Sequence, residues 1–388
     1  MAGLSSHAQD SPTAPTFITP DTVCAGQEIN IVNIIHGSSF YWNFCTGNAG
    51  SAPEAGFIGD PGSLLNEPRF ITLVRDSLDY YAFITSSGNT SLVRHYYGPS
   101  FRDLPVSTVN LGNFGVLTGE MRGIQVLKDG GQWFGFVANG NTLIRLIFGA
   151  SLLNTPTVMD INFPNVTGAS GLVITRDGAN WHGFCLDFQG NSVNRLDFGT
   201  SLLNVPQVAN LGNIGQLNGP VGIALKKEGP LWYLFVSNYS SSTLSRLEFG
   251  NSLLNTPTGT NLGNVGGLNR NTGLTIVSDC RRVQGYVANF SDVDPFLVHL
   301  EFDGGLGGTV SGHPIPGNAG ILNYPYGISE IMRIGDTLYS LVANLGSSSV
   351  TRLLYPVCSG SSIQTWSGPT PPPITYSTPG NYNIILTV

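Results

Sequence analysis

A nine-residue segment recurs along this 388-residue chain at a nearly constant interval. Phe148-Gly149-Ala150-Ser151-Leu152-Leu153-Asn154-Thr155-Pro156 returns as Phe198 to Pro206 and as Phe249 to Pro257, and Tyr97-Gly98-Pro99 to Pro105 is a degenerate copy. The prolines at 105, 156, 206 and 257 are 51, 50 and 51 residues apart. Such a period means that one supersecondary unit is stacked several times, because a single copy cannot bury its own apolar face.

Each copy has the same internal order. A Gly-hydrophobic step opens a short apolar strand, as in Gly123-Ile124-Gln125-Val126-Leu127, Gly222-Ile223-Ala224-Leu225 and Gly327-Ile328-Ser329. A turn such as Lys128-Asp129-Gly130-Gly131 follows, then an aromatic strand such as Trp133-Phe134-Gly135-Phe136-Val137, then an alternating strand such as Leu143-Ile144-Arg145-Leu146. The Phe-Gly-x-Ser-Leu-Leu-Asn link leads to a last strand ending in Leu-Gly-Asn-x-Gly-x-Leu. Four hairpin-linked strands in about fifty residues form the unit of a β-propeller blade. Arg94, Arg145, Arg195, Arg246, His299 and Arg352 hold one equivalent position, so the pattern predicts six blades. The sixth unit stops near Tyr355 without its outer strand. Ile58-Gly59-Asp60-Pro61-Gly62-Ser63-Leu64 matches Leu111 to Leu117, Leu211 to Leu217 and Leu262 to Leu268, so an N-terminal strand is expected to close the ring.

Composition agrees with an all-β class. The 50 Gly and 24 Pro alone would suggest disorder, but 41% hydrophobic residues argue for many short buried strands between tight turns. Only 17 Lys and Arg are present, with no basic run, so no nucleic-acid partner is expected. No apolar stretch is long enough for a membrane helix, so no membrane insertion is expected. Residues 1–16 read as a leader remnant or tag.

The Leu217-Asn218-Gly219-Pro220-Val221-Gly222-Ile223 passage, with Val236-Ser237-Asn238 after the aromatic strand, resembles the NHL-repeat type of propeller over roughly residues 56–356. The family's usual Asp after the second strand is Asn at 139, 238, 289 and 344. The flanks resemble something else. Pro379-Gly380-Asn381-Tyr382-Asn383-Ile384-Ile385-Leu386-Thr387-Val388 is similar to the ending of a PKD domain, an immunoglobulin-like sandwich. Val23-Cys24-Ala25-Gly26 is similar to its beginning, and Phe40-Tyr41-Trp42-Asn43-Phe44-Cys45 to its Trp-Asp-Phe-Gly signature, with Asn43 for Asp and Cys45 for Gly. The expected organisation is a propeller at 51–356 inserted into a sandwich made of 17–50 and 357–388. Cys45 and Cys358 then sit at the two junctions; Cys24–Cys45 and Cys24–Cys358 are the alternative disulfides. Cys185 and Cys280 fall in apolar strands and read as buried thiols.

The PKD resemblance implies the company of large surface or adhesin proteins of gliding, type IX-secreting Bacteroidota, hence a secreted or cell-surface place and a longer parent protein. No catalytic cluster is legible. His7, His36, His95, His182, His299 and His313 are scattered, and there is no Gly-x-Ser-x-Gly elbow. The first strands carry Gln125, Thr175, Lys226, Thr275 and Glu330, no recurrent carboxylate for a channel metal, and no cofactor is expected. Asp292 and Asp294 are the remaining metal candidates. The arginines at 94, 145, 195, 246 and 352 could grip an anionic glycan, or bond a neighbouring blade. Trp133, Trp181 and Trp232 could stack on sugars, or pack between blades, as Tyr80, Val283 and Leu338 at the same position suggest. These features predict a non-catalytic adhesion module that binds a glycan or surface protein. The alternatives are a carbohydrate-active or hydrolytic enzyme and a structural or docking unit of a secretion or motility apparatus.

Overall fold

The alternating apolar and polar residues of each repeat fold into antiparallel hairpins. The computed structural model describes residues 17–20, 22–50, 52–279, 282–294, 296–315, 321–355, 360–377 and 382–388, and among these every regular element is a β-strand. Residues 1–16, Cys280 and Cys358 lie outside the described residues.

In the first large sheet Pro68–Asp76, Asp79–Ser86, Ser91–Gly98 and Ser107–Gly112 lie side by side in chain order. Four further sheets repeat this order, and their first strands are Met121–Asp129, Ala169–Asp177, Pro220–Glu228 and Asn271–Asp279. In the sixth, Pro325–Ile328, Thr337–Asn344 and Ser349–Tyr355 follow in order, but the outer place is taken by Glu54–Gly59 from the front of the chain. Gly59 opposes Val350 at φ +78°, as Gly112 opposes Leu92 at +85° and Gly212 opposes Val193 at +80°. Glycine takes this left-handed conformation without a steric penalty. The Asn two residues earlier holds it, since Gly112 N and Gly212 N donate to Asn110 Oδ1 and Asn210 Oδ1 at 2.7 Å. That bond accounts for the recurring Asn-Leu-Gly.

The first strands of consecutive sheets are neighbours, and Pro325–Ile328 neighbours Pro68–Asp76, so the succession closes on itself. One apolar core fills each seam between adjacent sheets. The recurrent Phe of the link supplies the bond across it: Phe148 meets Phe83, Phe198 meets Phe136 and Phe249 meets Phe184 at 4.9–5.2 Å between ring centroids. Where the first strands converge, a Cβ on Gly123, Gly171, Gly222, Gly273 or Gly327 would strike the backbone of the next sheet. The Gly-hydrophobic step of the repeat is therefore a close-approach requirement.

The two ends of the chain share a separate core of Ile29, Ile31, Trp42, Phe44, Ile374 and Tyr376. There Tyr41–Asn43 lies between Thr365–Ser367 and Ile385–Thr387, and Phe17–Ile18 pairs with Val32–Asn33. The protein is all-β and propeller-like, with eight sheets among the described residues, more than the repeats alone account for.

Candidate functional site

The residues singled out by their repetition turn inward. Arg145 donates from Nη1 to the carbonyls of Leu202, Leu203 and Asn204 at 2.7–2.9 Å, gripping the link of the next sheet. Arg94 holds Leu152 O (2.6 Å), Arg195 holds Leu254 O (3.0 Å) and Arg246 holds Gly308 O (2.6 Å) in the same way. Arg352 closes the set on Phe101 O and Asp103 O of the first sheet. Burial pushes the guanidinium pKa values of Arg94 and Arg145 down. Their Nη1 donors are spent on carbonyls, so the ring of arginines offers no open anion-binding face.

The tryptophans are covered too. Trp133, Trp181 and Trp232 are buried, each beneath a cation at 4.8–5.3 Å: Lys128, Arg176 and Lys227 respectively. Trp133 Nε1 also donates to Asp76 Oδ2 at 3.1 Å. Buried faces of this kind cannot stack on a sugar. Cys45 is disulfide-bonded whereas Cys24 is free, which removes both pairings through Cys24. Among the described residues no three His, Cys, Asp or Glu converge as a metal site. Asp292 instead lies beside the Tyr324 hydroxyl and pushes that phenol's pKa up.

Register also revises the channel. Gln125, Val173, Ala224 and Thr275 occupy one level of the first strands, and Thr175 and Lys226 another. Gln125 is spent on the backbone of Ile174, where its Nε2 donates to the carbonyl at 3.1 Å and its Oε1 accepts from the amide. His95 is fully buried with no partner for either ring nitrogen, and His182 Nδ1 meets Asp197 Oδ1 at 2.8 Å, itself held by Arg195.

A different cluster gathers where the first strands begin. Asn238 Oδ1 and Asn289 Oδ1 accept from the backbone amides of Asn218 and Asn269, and Asp187 from Thr167 and Gly168, so each carboxamide or carboxylate ties its hairpin to the start of its sheet. The residue after each is aromatic. Phe188, Tyr239 and Phe290 follow one another at 6.1 and 5.9 Å, and Phe290 continues to Tyr324 at 4.9 Å and to Tyr326 at 5.8 Å. Tyr326 then meets Phe70 at 5.6 Å. Three guanidiniums lie over this arc: Arg122 over Phe188 (4.8 Å), Arg270 over Tyr239 (5.3 Å) and Arg69 over Tyr326 (5.8 Å).

Beside the arc opens a cleft of about 720 Å³, lined by Asn191, Asn213, Gln216, Asn218, Ser241 and Asn261 among others, with no charged side chain. Gly219, whose amide donates to Asn191 Oδ1 at 2.7 Å, lies against the Phe188 ring and so joins cleft to arc. A second cavity, about 740 Å³, surrounds His36, Ser38 and Ser367 in the flanking unit and has no carboxylate in its lining. The aromatic arc had a sequence signal that repetition of arginine and tryptophan obscured: the residue after the repeat-equivalent Asp187, Asn238 or Asn289 is aromatic in three consecutive copies.

No family model matches the chain, and no curated protein matches it. Solved structures do. A putative phosphatase from Bacteroides thetaiotaomicron aligns at a TM-score of 0.53 and 12% identity, covering 86% of this chain and 85% of that one. An α-L-arabinofuranosidase from Lactobacillus brevis aligns at 0.49 and 11%, over 66% of this chain and 97% of that one. A luciferin-regenerating enzyme aligns at 0.49 and 13%, over 78% and 95%. Several other aligned structures are family-43 glycoside hydrolases at identities of 9–12%. At such identities the likeness is one of fold. It nevertheless overturns the expectation of a non-catalytic adhesion module, because that expectation rested on the lack of a repeated catalytic set, and a putative phosphatase shares this fold.

Proposed function

We propose that the chain is a carbohydrate-active propeller working at the end of the ring where the aromatic arc lies. The observation that carries this reading is the run of half-buried rings Phe188, Tyr239, Phe290 and Tyr324 beside a charge-free cleft of amides. Saccharides present flat C–H faces that stack on aromatic rings and hydroxyls that pair with amides and guanidiniums. Cleaving a glycosidic bond takes two carboxylates flanking it. Glu67 and Glu120, each placed just before the first strand of adjacent sheets, and Asp292 are the carboxylates offered here.

The closed succession of first strands supports reading the six large sheets as six blades of NHL-like type, with Glu54–Gly59 completing the sixth. The shared core of the flanks supports one split PKD-like sandwich at 17–50 and 357–388 around a ring at 51–356. The disulfide at Cys45 favours an oxidising place, secreted or on the cell surface.

The test is a panel of plant, algal and bacterial polysaccharides incubated with the full chain, with released reducing ends as the readout. Turnover of at least one is expected, abolished by Glu120→Gln or Asp292→Asn and slowed about ten-fold or more by Phe290→Ala. Neither binding nor turnover across the panel would overturn the reading.

A further inference from the structure

We infer that the saccharide recognised at this end of the ring is anionic, bearing carboxylate or sulfate groups; the inference rests on the carbohydrate reading above. The chain has few cations, 17 Lys and Arg against 24 Asp and Glu. Seven of the 17 are committed to the scaffold as follows. Arg94, Arg145, Arg195, Arg246 and Arg352 grip backbone carbonyls, and Lys128 and Lys227 pair with Asp76 and Asp177 at 3.2 and 3.8 Å.

Arg69, Arg122 and Arg270 are deployed differently. Arg69 and Arg122 are the second residues of adjacent first strands, Pro68–Asp76 and Met121–Asp129, and so stand at one level of the ring. Arg69 uses Nε on Ser87 Oγ at 3.0 Å. Among the described residues neither it nor Arg270 has a carboxylate within 4.0 Å. Arg122 Nη2 lies 3.8 Å from Glu120, while its Nη1 is buried with no hydrogen-bond acceptor. Of the other acids at this end, Asp292 is engaged by Tyr324, and Glu67 forms no ion pair among the described residues.

Arg270 is exposed and Arg69 is half-buried with only its Nε engaged, so both keep guanidinium donors that no acid among the described residues takes up. The planar fork of arginine matches the paired oxygens of a carboxylate or sulfate. With the ring faces setting the plane of a sugar, an anionic substituent on it meets donors that the protein leaves open.

Calorimetric titration of the full chain at low salt tests this with matched pairs. One arm uses a galacturonic acid hexamer and its full methyl ester; the other uses a sulfated galactan oligosaccharide and its desulfated form. At least one anionic sugar is expected to bind about ten-fold or more tightly than its neutral partner, and the arm that does so identifies the charged group. Arg122→Gln and Arg270→Gln should each reduce that preference several-fold. Arg270 is exposed, so its variant reports on binding even where Arg122→Gln is found by thermal melting to disturb folding. Equal affinity for charged and neutral partners, or a preference that survives both substitutions, overturns the inference and leaves the carbohydrate reading standing. Failure of every saccharide to bind or turn over overturns that reading and the inference with it.

Discussion

Arg352 and Asp103 are 249 residues apart in the chain, yet Arg352 Nη1 donates to the Asp103 carbonyl at 3.0 Å. The bond joins the last sheet of the ring to the first, and four other arginines make the equivalent connection between consecutive sheets. Position five in this series is His299, and the reason is topological. The next sheet has no continuous link between its third and fourth strands for an arginine to grip, since its fourth strand comes from the front of the chain. His299 instead lies against Tyr286 at 5.0 Å, and Tyr286 Oη donates to Ala49 O at 2.7 Å, in the segment that leads into that strand.

Arg145→Met keeps the apolar stem but leaves the carbonyls of Leu202, Leu203 and Asn204 without their donor. A loss of about 2–3 kcal/mol in urea unfolding is expected, as for charge-assisted bonds to buried groups. An unchanged midpoint would show that the arginines do not staple the ring.

Removing residues 17–59 takes away the strand that covers Ser349–Tyr355 and exposes an unpaired edge. Ile58, which packs in the core between the sixth and first sheets, is lost as well. The truncated chain should aggregate on size-exclusion chromatography, and adding back a synthetic 52–65 peptide should recover part of the monomer.

His95 is buried without a partner, and burial alone holds its pKa down at about 4, against 6.5 for a free imidazole. The unfolded chain therefore binds a proton on this residue below about pH 6.5, while the folded chain does not until about pH 4. Stability carried by the neutral ring is complete above pH 6.5 and falls by roughly 3 kcal/mol as the pH drops through that window. The other five copies have leucine here: Leu146, Leu196, Leu247, Leu300 and Leu353. His95→Leu should flatten the pH dependence of the melting temperature between 6.5 and 4; a slope equal to that of the parent would refute the assignment.

At Gly222 a methyl group would meet Thr272 O and Leu274 N of the adjoining first strand. Both obstacles are backbone, so neither can rotate away. Gly222→Ala should cost about 2 kcal/mol or more, whereas Gly130→Ala, in an open turn, should cost less and only through its positive φ. Equal melting temperatures for the two variants would rule out close approach as the reason for the repeated glycine.

Much of the architecture was legible because period and alternation are local properties of the chain. Strand positions, the Asn-Leu-Gly turn and the substitute outer strand around Ile58 all follow from residues that must bury one face or adopt a left-handed turn. The disposition of side chains was less accessible. Repetition marked Arg145 and Trp133 as important without saying whether they face solvent or a neighbouring sheet, and both turned out to be spent on packing.

The candidate site is a property of the closed ring. Phe188, Tyr239, Phe290, Tyr326 and Phe70 lie in different sheets, and no spacing in the sequence relates Phe70 to Tyr326, 5.6 Å apart in space. The sequence by itself determined the strands, their repetition and which residues must be glycine, because these depend on backbone sterics and on burial within one unit. Only the tertiary structure decided which side chains share an end of the ring. That depends on how successive sheets are rotated about a common axis, which is set by packing across every seam together.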